Sequence, residues 1–384
     1  MGKKRKISCL SEYRNEFPHT ESCIYFNHAS RSPMPKRSLQ AMYAFLEKSV
    51  KSGEEIDDEA FEVLAETRRD LAKLLGCSQS EIALLPNTGM GINLAAHGIH
   101  FKEGESVVLA VNEFPSNYYP WANLKSKGVQ IQFAELERGC VTPQTIEAAI
   151  DDTTKAVSLS MVDYSRGYRP DLKAIGELCK RKKVTLVVDG MQSVGVMDFD
   201  VKDYEIDVLA CGGGKWLMGP QGAGFAYISE KTQDWLKPAF TTWLSVMSSF
   251  DFENLLTRRF DPFPGARKFE LGTYPYADYY ALRESLKLIL EIGIDEIWRS
   301  SSLSCQLLLD YLGTSRYEIL SSTDDARRSS IVAFTCKDVD KLYNRLKEKN
   351  FILSKREGAI RVSFHFYNTE EEVRHLIDEL TQNG

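Results

Sequence analysis

Two side chains in this sequence are placed for chemistry on a carbonyl group. Lys215 follows three glycines in ACGGGKWLMGPQG and precedes Trp216, so its amine leaves a tight, backbone-rich turn rather than a solvated helix face. A lysine held among apolar neighbours loses its charge more readily than one in water, and the uncharged amine is the form that condenses with an aldehyde. A phosphate loop is the plain competitor, but GGGKW lacks the Ser or Thr that follows a P-loop lysine, and its glycine spacing fails as well. Asp189 closes the apolar run TLVVD. That places it at the carboxyl end of a buried strand, where open parallel sheets present side chains to ligands. A carboxylate there calls for a cationic partner.

Weaker signals surround these two. In PNTGMGINLAAHG, Thr88, Gly89 and Met90 open a helix, and helix starts attract phosphate through unpaired amides and the dipole. A plain Thr N-cap explains the same residues. His28, alone in the loop NHASRSPMP, is a candidate for substrate contact, against the bland alternative of a structural histidine. Among the six histidines only His97 and His100 show any ligand-like spacing, and they lack cysteine or carboxylate partners, so no metal is expected. GMGINL puts Leu94 where a dinucleotide fingerprint needs its third glycine.

The elements that must position these residues read as an α/β chain. Helical spacing predicts helices over 36–50 and 57–75, the second stopped by Gly76. The chain then alternates apolar runs with amphipathic stretches: IALLP and a helix from Thr88, SVVLAV and a helix near 118–126, VQIQFAEL and a helix over 143–150. KAVSLSMV, a helix over 172–182, TLVVD, DVLAC and GFAYI follow. Strands apolar on both faces and separated by helices argue for a mostly parallel sheet covered on both sides. Beyond Gly272 two long helical stretches, 277–292 and 295–312, precede short strands and helices, the pattern of a smaller α+β domain. The expected division is an N-terminal arm at 1–22, a large domain at 23–271 and a small domain at 272–384.

From YFNHAS to FYNTEEEV the chain resembles the class V aminotransferase family of pyridoxal 5'-phosphate (PLP) enzymes. That family includes cysteine desulfurases, isopenicillin N epimerase-like proteins and kynureninases. VVDGMQSVG resembles its D-G-x-Q segment, which implies that Asp189 pairs with the pyridine nitrogen and Gln192 contacts the ring hydroxyl. The GGGKW segment implies that Lys215 carries the cofactor as a Schiff base. PNTGMG implies a phosphate cup at Thr88, Gly89 and Met90. NEFPSNYYPW implies Phe114 over the pyridine face, where desulfurases carry a histidine, and Asn117 near the ring hydroxyl. In FELGTYPY the pair Gly272 and Thr273 is implied to reach the phosphate of a partner subunit, which gives a homodimer with shared sites. AIRVSFHFYN implies Arg361 as the clamp on the substrate carboxylate, through two parallel hydrogen bonds. The implied fold is PLP-dependent transferase fold type I.

The sequence departs from the family pattern in two places. Desulfurases carry a nucleophilic cysteine just before the carboxylate-binding arginine, yet FILSKREGAIR has none and is shortened. Without a thiolate, persulfide formation has no agent. Cys336, upstream, reads as a strand-end residue. The position before the lysine, often His or Tyr in the family, is Gly214, which removes one phosphate contact. Tyr164 and Ser165 are further pocket candidates.

The bulk numbers agree with a metabolic enzyme. The 384 residues suffice for one large and one smaller domain, and a net charge of -6 gives no electrostatic reason to bind nucleic acid or an anionic membrane. No run of about 18 apolar residues is present, so no membrane span is expected. The eight cysteines are scattered singly, the pattern of reduced thiols in a cytoplasm, and the basic start MGKKRKISCL carries no evident targeting signal. The expected activity is α-proton chemistry on an amino acid through an α-carbanion, ending in transamination or epimerisation. Two alternatives stand beside it: a carbon–sulfur lyase working by β-elimination, and a catalytically eroded PLP-binding regulatory protein.

Overall fold

The computed structural model of the protein describes residues 10–52, 57–137 and 139–382. The basic start and Cys9 lie outside the described residues. At the centre is a seven-stranded sheet in the order Ile82–Leu85, Gly224–Ile228, Val208–Gly212, Thr185–Asp189, Thr154–Ser160, Ser106–Ala110, Gln130–Ala134. Only Gly224–Ile228 runs antiparallel to its neighbours. The remaining pairs are parallel, as the run of doubly apolar strands predicts. Four of these strands are buried along their whole length, which leaves their carboxyl ends as the places where polar side chains gather.

Most expected helices lie where the spacing put them: Asp57–Leu75, Thr88–Gly98, Leu172–Lys182 and Tyr276–Ile292. One differs. The helix expected near 118–126 begins earlier, at Pro115, and gives way to a 3-10 turn over Asn123–Lys127. Proline suits the first helical position because its missing N–H would be unpaired there anyway.

A buried ion pair ties the helix Asp57–Leu75 to the edge of the sheet. Arg68 donates to both carboxylate oxygens of Glu270, at 2.9 and 2.6 Å, and Leu84 N donates to Glu270 Oε1 at 2.8 Å. Glu270 is fully buried, so its charge is compensated entirely by these donors and the hydroxyl of Tyr274.

The C-terminal part builds a four-stranded antiparallel sheet in the order Ser354–Arg356, Ala359–Ser363, Ile331–Thr335, Glu318–Ile319. Cys336 follows directly on the strand Ile331–Thr335. The strands Ser354–Arg356 and Ala359–Ser363 are joined by Glu357 and Gly358 alone, both left-handed at φ 46° and 74°. Two left-handed residues are what a tight hairpin of this hand demands, and glycine is the residue that takes the second at no steric cost. The beginning of the chain reaches this region too: Ile24–Tyr25 pairs in parallel with Phe351–Ile352, and Asn27 bridges to Ser363.

Candidate active site

The strand Thr185–Asp189 delivers Asp189 to the carboxyl edge of the sheet. Met191 N donates to its Oδ1 at 2.8 Å, and burial pushes the carboxyl up to about 6 against that bond and against the charge of Lys215. Such a buried acid is stabilised by a cation placed on it.

Lys215 leaves the turn that follows the next strand, Val208–Gly212. The turn is pinned by Gly213, whose N–H donates to Ala223 O at 2.7 Å; a Cβ at Gly213 would stand 2.6 Å from that same oxygen. Gly214 O accepts from Ser32 N at 3.2 Å, which fastens the N-terminal loop to the lysine turn. Burial pulls the Lys215 amine down to about 8; Asp189 opposes this and Arg361 adds to it. About a tenth of the amine is therefore uncharged at pH 7, far more than for a lysine in water, and the uncharged form is the one a condensation requires.

Thr88, Phe114, Ser160, Asp189, Gln192 and Lys215 line one cavity, together with Tyr164 and Met191. The Phe114 ring centroid lies 5.6 Å from Lys215 Nζ and 5.1 Å from the centroid of the Tyr164 ring, which it meets in a T-shaped arrangement. At the start of the helix Thr88–Gly98, Thr88 Oγ1 donates to Met191 Sδ at 3.2 Å. The N–H groups of Thr88 and Gly89 have no acceptor among the described residues. The Met90 N–H differs, because Asn87 caps the helix through its Oδ1 at 2.9 Å. The expected phosphate contact of Met90 is thereby corrected: its amide is already taken.

Arg361 is 2% exposed and carries no carboxylate within ion-pair distance among the described residues. Its Nε donates to Ser354 Oγ at 3.1 Å, its Nη2 to Ser30 Oγ at 2.6 Å and its Nη1 to Tyr164 O. Burial, with Arg356 adding to it, pulls the guanidinium down to about 10. A buried cation paired only with neutral groups is poised for an anion.

Three further expectations, for His28, Asn117 and Gln192, are altered by their partners. His28 does not line the cavity: it is buried between Tyr25, Trp216, His365 and Tyr367, its Nδ1 stands 2.9 Å from Ser32 Oγ, and burial holds it neutral. Asn117 is enclosed behind the cavity wall, accepting from Ser158 Oγ at 2.6 Å and donating to Glu113 at 3.0 Å, so neither amide end is turned to a ring hydroxyl. Gln192 lines the cavity, yet its Nε2 donates to Ala29 O at 3.0 Å and its Oε1 accepts from Trp216 Nε1 at 2.9 Å. Its amide braces the loop and the indole, and these partners do not set up the expected ring-hydroxyl contact. Gly272 and Thr273, expected to reach the phosphate of a partner subunit, do not line this chain's own Lys215 cavity; Gly272 N donates to Thr242 Oγ1 at 2.9 Å and Thr273 is exposed. Ser165 donates to Asp163 at 2.9 Å. Sequence reasoning missed Glu113, whose carboxyl is enclosed at the cavity wall, and Ser160; the only signal for Ser160 is its place at the carboxyl end of the run KAVSLSMV.

The family model for class V aminotransferases matches residues 24–376, and the chain belongs to that family of PLP-dependent enzymes. An uncharacterized aminotransferase of Bacillus subtilis is 29% identical over 96% of each chain. A probable cysteine desulfurase of Methanothermobacter thermautotrophicus is 28% identical over 97% of each. Among solved structures, the apo cysteine desulfurase of Thermococcus onnurineus superposes with a TM-score of 0.88 at 24% identity, over 100% of this chain and 99% of that one. PLP is thus the cofactor, and fold type I the architecture. The residues present fit it: a buried acid without a bound cation, a partly neutral lysine, an aromatic ring across the cavity and unpaired amides at a helix start.

Proposed function

We propose that the protein moves the α-proton of an amino acid, with transamination or epimerisation as the outcome. The observation that supports this reading is the convergence of Lys215, Asp189 and Phe114 on one cavity, with the anion-free guanidinium of Arg361 bonded to the Tyr164 carbonyl at its wall. When bound, PLP supplies the electron sink that makes the proton on the substrate's α-carbon acidic.

Each residue then has a task. Lys215 Nζ would hold the cofactor's aldehyde carbon, and its amine, once displaced by the substrate, takes and returns the α-proton. Asp189 would keep a proton on the ring nitrogen. Phe114 would lie against the ring and exclude water from it. Thr88 and Gly89 would offer their N–H groups to the phosphate. Arg361 would fix the substrate carboxylate, exchanging its bond to the Ser30 hydroxyl for a charged partner.

The two-residue hairpin at Glu357 and Gly358 leaves no loop for a nucleophilic cysteine, and no cysteine follows Cys336 in the chain. This supports a reaction that needs no enzyme thiolate. Nothing in the cavity favours the carbon–sulfur lyase or the regulatory alternative.

A homodimer is part of the same proposal. Phe240, Phe252, Leu256 and Phe260 are between 62% and 85% exposed in the stretch that leads to Gly272 and Thr273, an apolar surface that a second copy would cover. Light scattering at micromolar protein tests it; a monomer would refute it. Cys23, Cys77, Cys179, Cys211, Cys305 and Cys336 form no disulfide, which supports the reducing cytoplasm as the location. No helix among the described residues is long and apolar enough to cross a membrane.

The deciding experiment incubates the PLP-loaded protein with a panel of amino acids in heavy water and follows the α-position by NMR. Deuterium should enter at least one amino acid, with a keto acid marking transamination and inverted product marking epimerisation. Full cofactor loading without exchange in any of them would refute the proposal.

A further inference from the structure

Glu113 is a buried acid for which the reaction proposed above has no task. It stands in the turn between the strand Ser106–Ala110 and the helix Pro115–Ala122. Part of the residue touches solvent, but its carboxyl group is enclosed by three donors. Ser160 N donates to Oε1 at 2.7 Å, and Ser160 Oγ and Asn117 Nδ2 donate to Oε2 at 2.6 and 3.0 Å. No Lys, Arg or His stands within ion-pair distance among the described residues. An enclosed acid without a cation keeps its proton to higher pH than one in water. Burial, with the charge of Asp189 as a smaller contributor, pushes Glu113 up to about 7 in spite of its donors.

The place of Ser160 gives this acid a route to the chemistry. Ser160 lines the Lys215 cavity and also a second cavity of ≈ 20 Å³ with a mixed lining, to which Glu113, Asp163, Tyr168 and Cys140 contribute. That volume holds one water. A serine hydroxyl thus lies between an acid that bears a small cavity on its other side and the cavity where a proton has to be moved.

We propose that Glu113 is the proton reservoir of the Lys215 cavity, exchanging protons with it through the hydroxyl of Ser160. The inference rests on the reading that the enzyme moves an α-proton. In one direction Ser160 Oγ takes a proton from the cavity while its own proton passes to Glu113 Oε2. In the other, Glu113 returns the proton to Ser160 Oγ while the hydroxyl releases one into the cavity. Each transfer breaks one bond to hydrogen and makes another, so no oxidant or reductant is involved. Glu113 acts through Ser160 and is a positioning residue for protons, not a group that touches substrate. The titratable groups facing it are Asp189 on the strand Thr185–Asp189, Asp163, Tyr164, Tyr168 and Cys140 around the second cavity, and Lys215 in the adjoining one. Asn112 Nδ2 holds Asp163 Oδ2 at 2.8 Å.

The test compares the PLP-loaded enzyme with E113Q and S160A. It reads the rate of deuterium entry at the α-carbon of the best substrate between pH 5.5 and 9, with the cofactor absorbance and KM as controls. The wild type should show a limb with a midpoint near 7 that is missing in E113Q, and E113Q and S160A should both exchange about tenfold more slowly or worse. An unchanged cofactor band and KM separate lost proton supply from a distorted wall. E113Q with the wild-type rate and limb, or S160A at full rate, overturns the inference. Should E113Q fail to fold or to load, S160A decides alone. If the wild type itself exchanges nothing, the proposed function has failed and this inference falls with it.

Discussion

Ser160 and Asp189 stand opposite one another in register at the carboxyl ends of the neighbouring parallel strands Thr154–Ser160 and Thr185–Asp189. The next strand, Val208–Gly212, runs into the turn that bears Lys215. Three consecutive strands of one sheet therefore deliver a hydroxyl, a carboxylate and an amine to one edge, and the rigidity of the ladder fixes their separation.

Replacing Lys215 by Ala should abolish the covalent link to PLP. Borohydride reduction followed by peptide mass spectrometry should find the cofactor on Lys215 in the wild type and on no residue in the variant. α-Deuterium exchange should fall by at least about a hundredfold, the scale of a lost general base.

Asp189→Asn should still accept PLP on Lys215 but should lose the anion beneath the ring nitrogen. The cofactor's absorbance should shift, and kcat should fall by about 10² or more, because an unprotonated ring is a poorer electron sink. Wild-type turnover in this variant would remove Asp189 from the mechanism.

The amine of Lys215, lowered to about 8 by burial, sets the pH dependence of cofactor capture. The neutral form reacts, so uptake of PLP by the cofactor-free protein should rise with pH and level off above about 8, falling roughly tenfold per unit below it. Stopped-flow absorbance from pH 6 to 10 measures this. A midpoint near the ordinary lysine value would show that the turn does not bury the amine in solution.

Arg361→Lys keeps the charge and loses the planar fork. KM for amino acids should rise by about ten- to a hundredfold, while amines without a carboxylate should be affected little. Equal effects on both would mean that Arg361 only supports Tyr164 and Ser30.

Glu270→Ala should destabilise the fold by about 3–5 kcal/mol, since it strands the Arg68 guanidinium in a buried place without its anion. Denaturant unfolding measures this, and a loss below about 1 kcal/mol would contradict the buried pair.

Much of this molecule was legible from residue order because its signals are local. The helix Asp57–Leu75 follows from apolar spacing and Gly76, and Asp189 and Lys215 follow from the ends of apolar runs. His28, Asn117, Gln192 and Glu113 were not legible in the same way. Each is polar and sits in a loop or a helix, and its orientation is decided by partners far along the chain: Trp216 beside His28, Ser158 on Asn117, Ala29 on Gln192 and Ser160 on Glu113. Local spacing carries no information about which of a side chain's two amide ends will be taken, or by what. The same limit hid the pairing of Ile24–Tyr25 with Phe351–Ile352, which joins opposite ends of the sequence.

That pairing has a consequence for biogenesis. During synthesis the strand Ile24–Tyr25 has no neighbour until Phe351–Ile352 emerges, so Ser30 cannot meet Arg361 before the C-terminal sheet is made, whereas Ser32 can reach the lysine turn at Gly214 earlier. The central sheet and the lysine turn can therefore form first, and the Arg361 side of the reactive edge closes only once the C-terminal strands fold against the N-terminal loop.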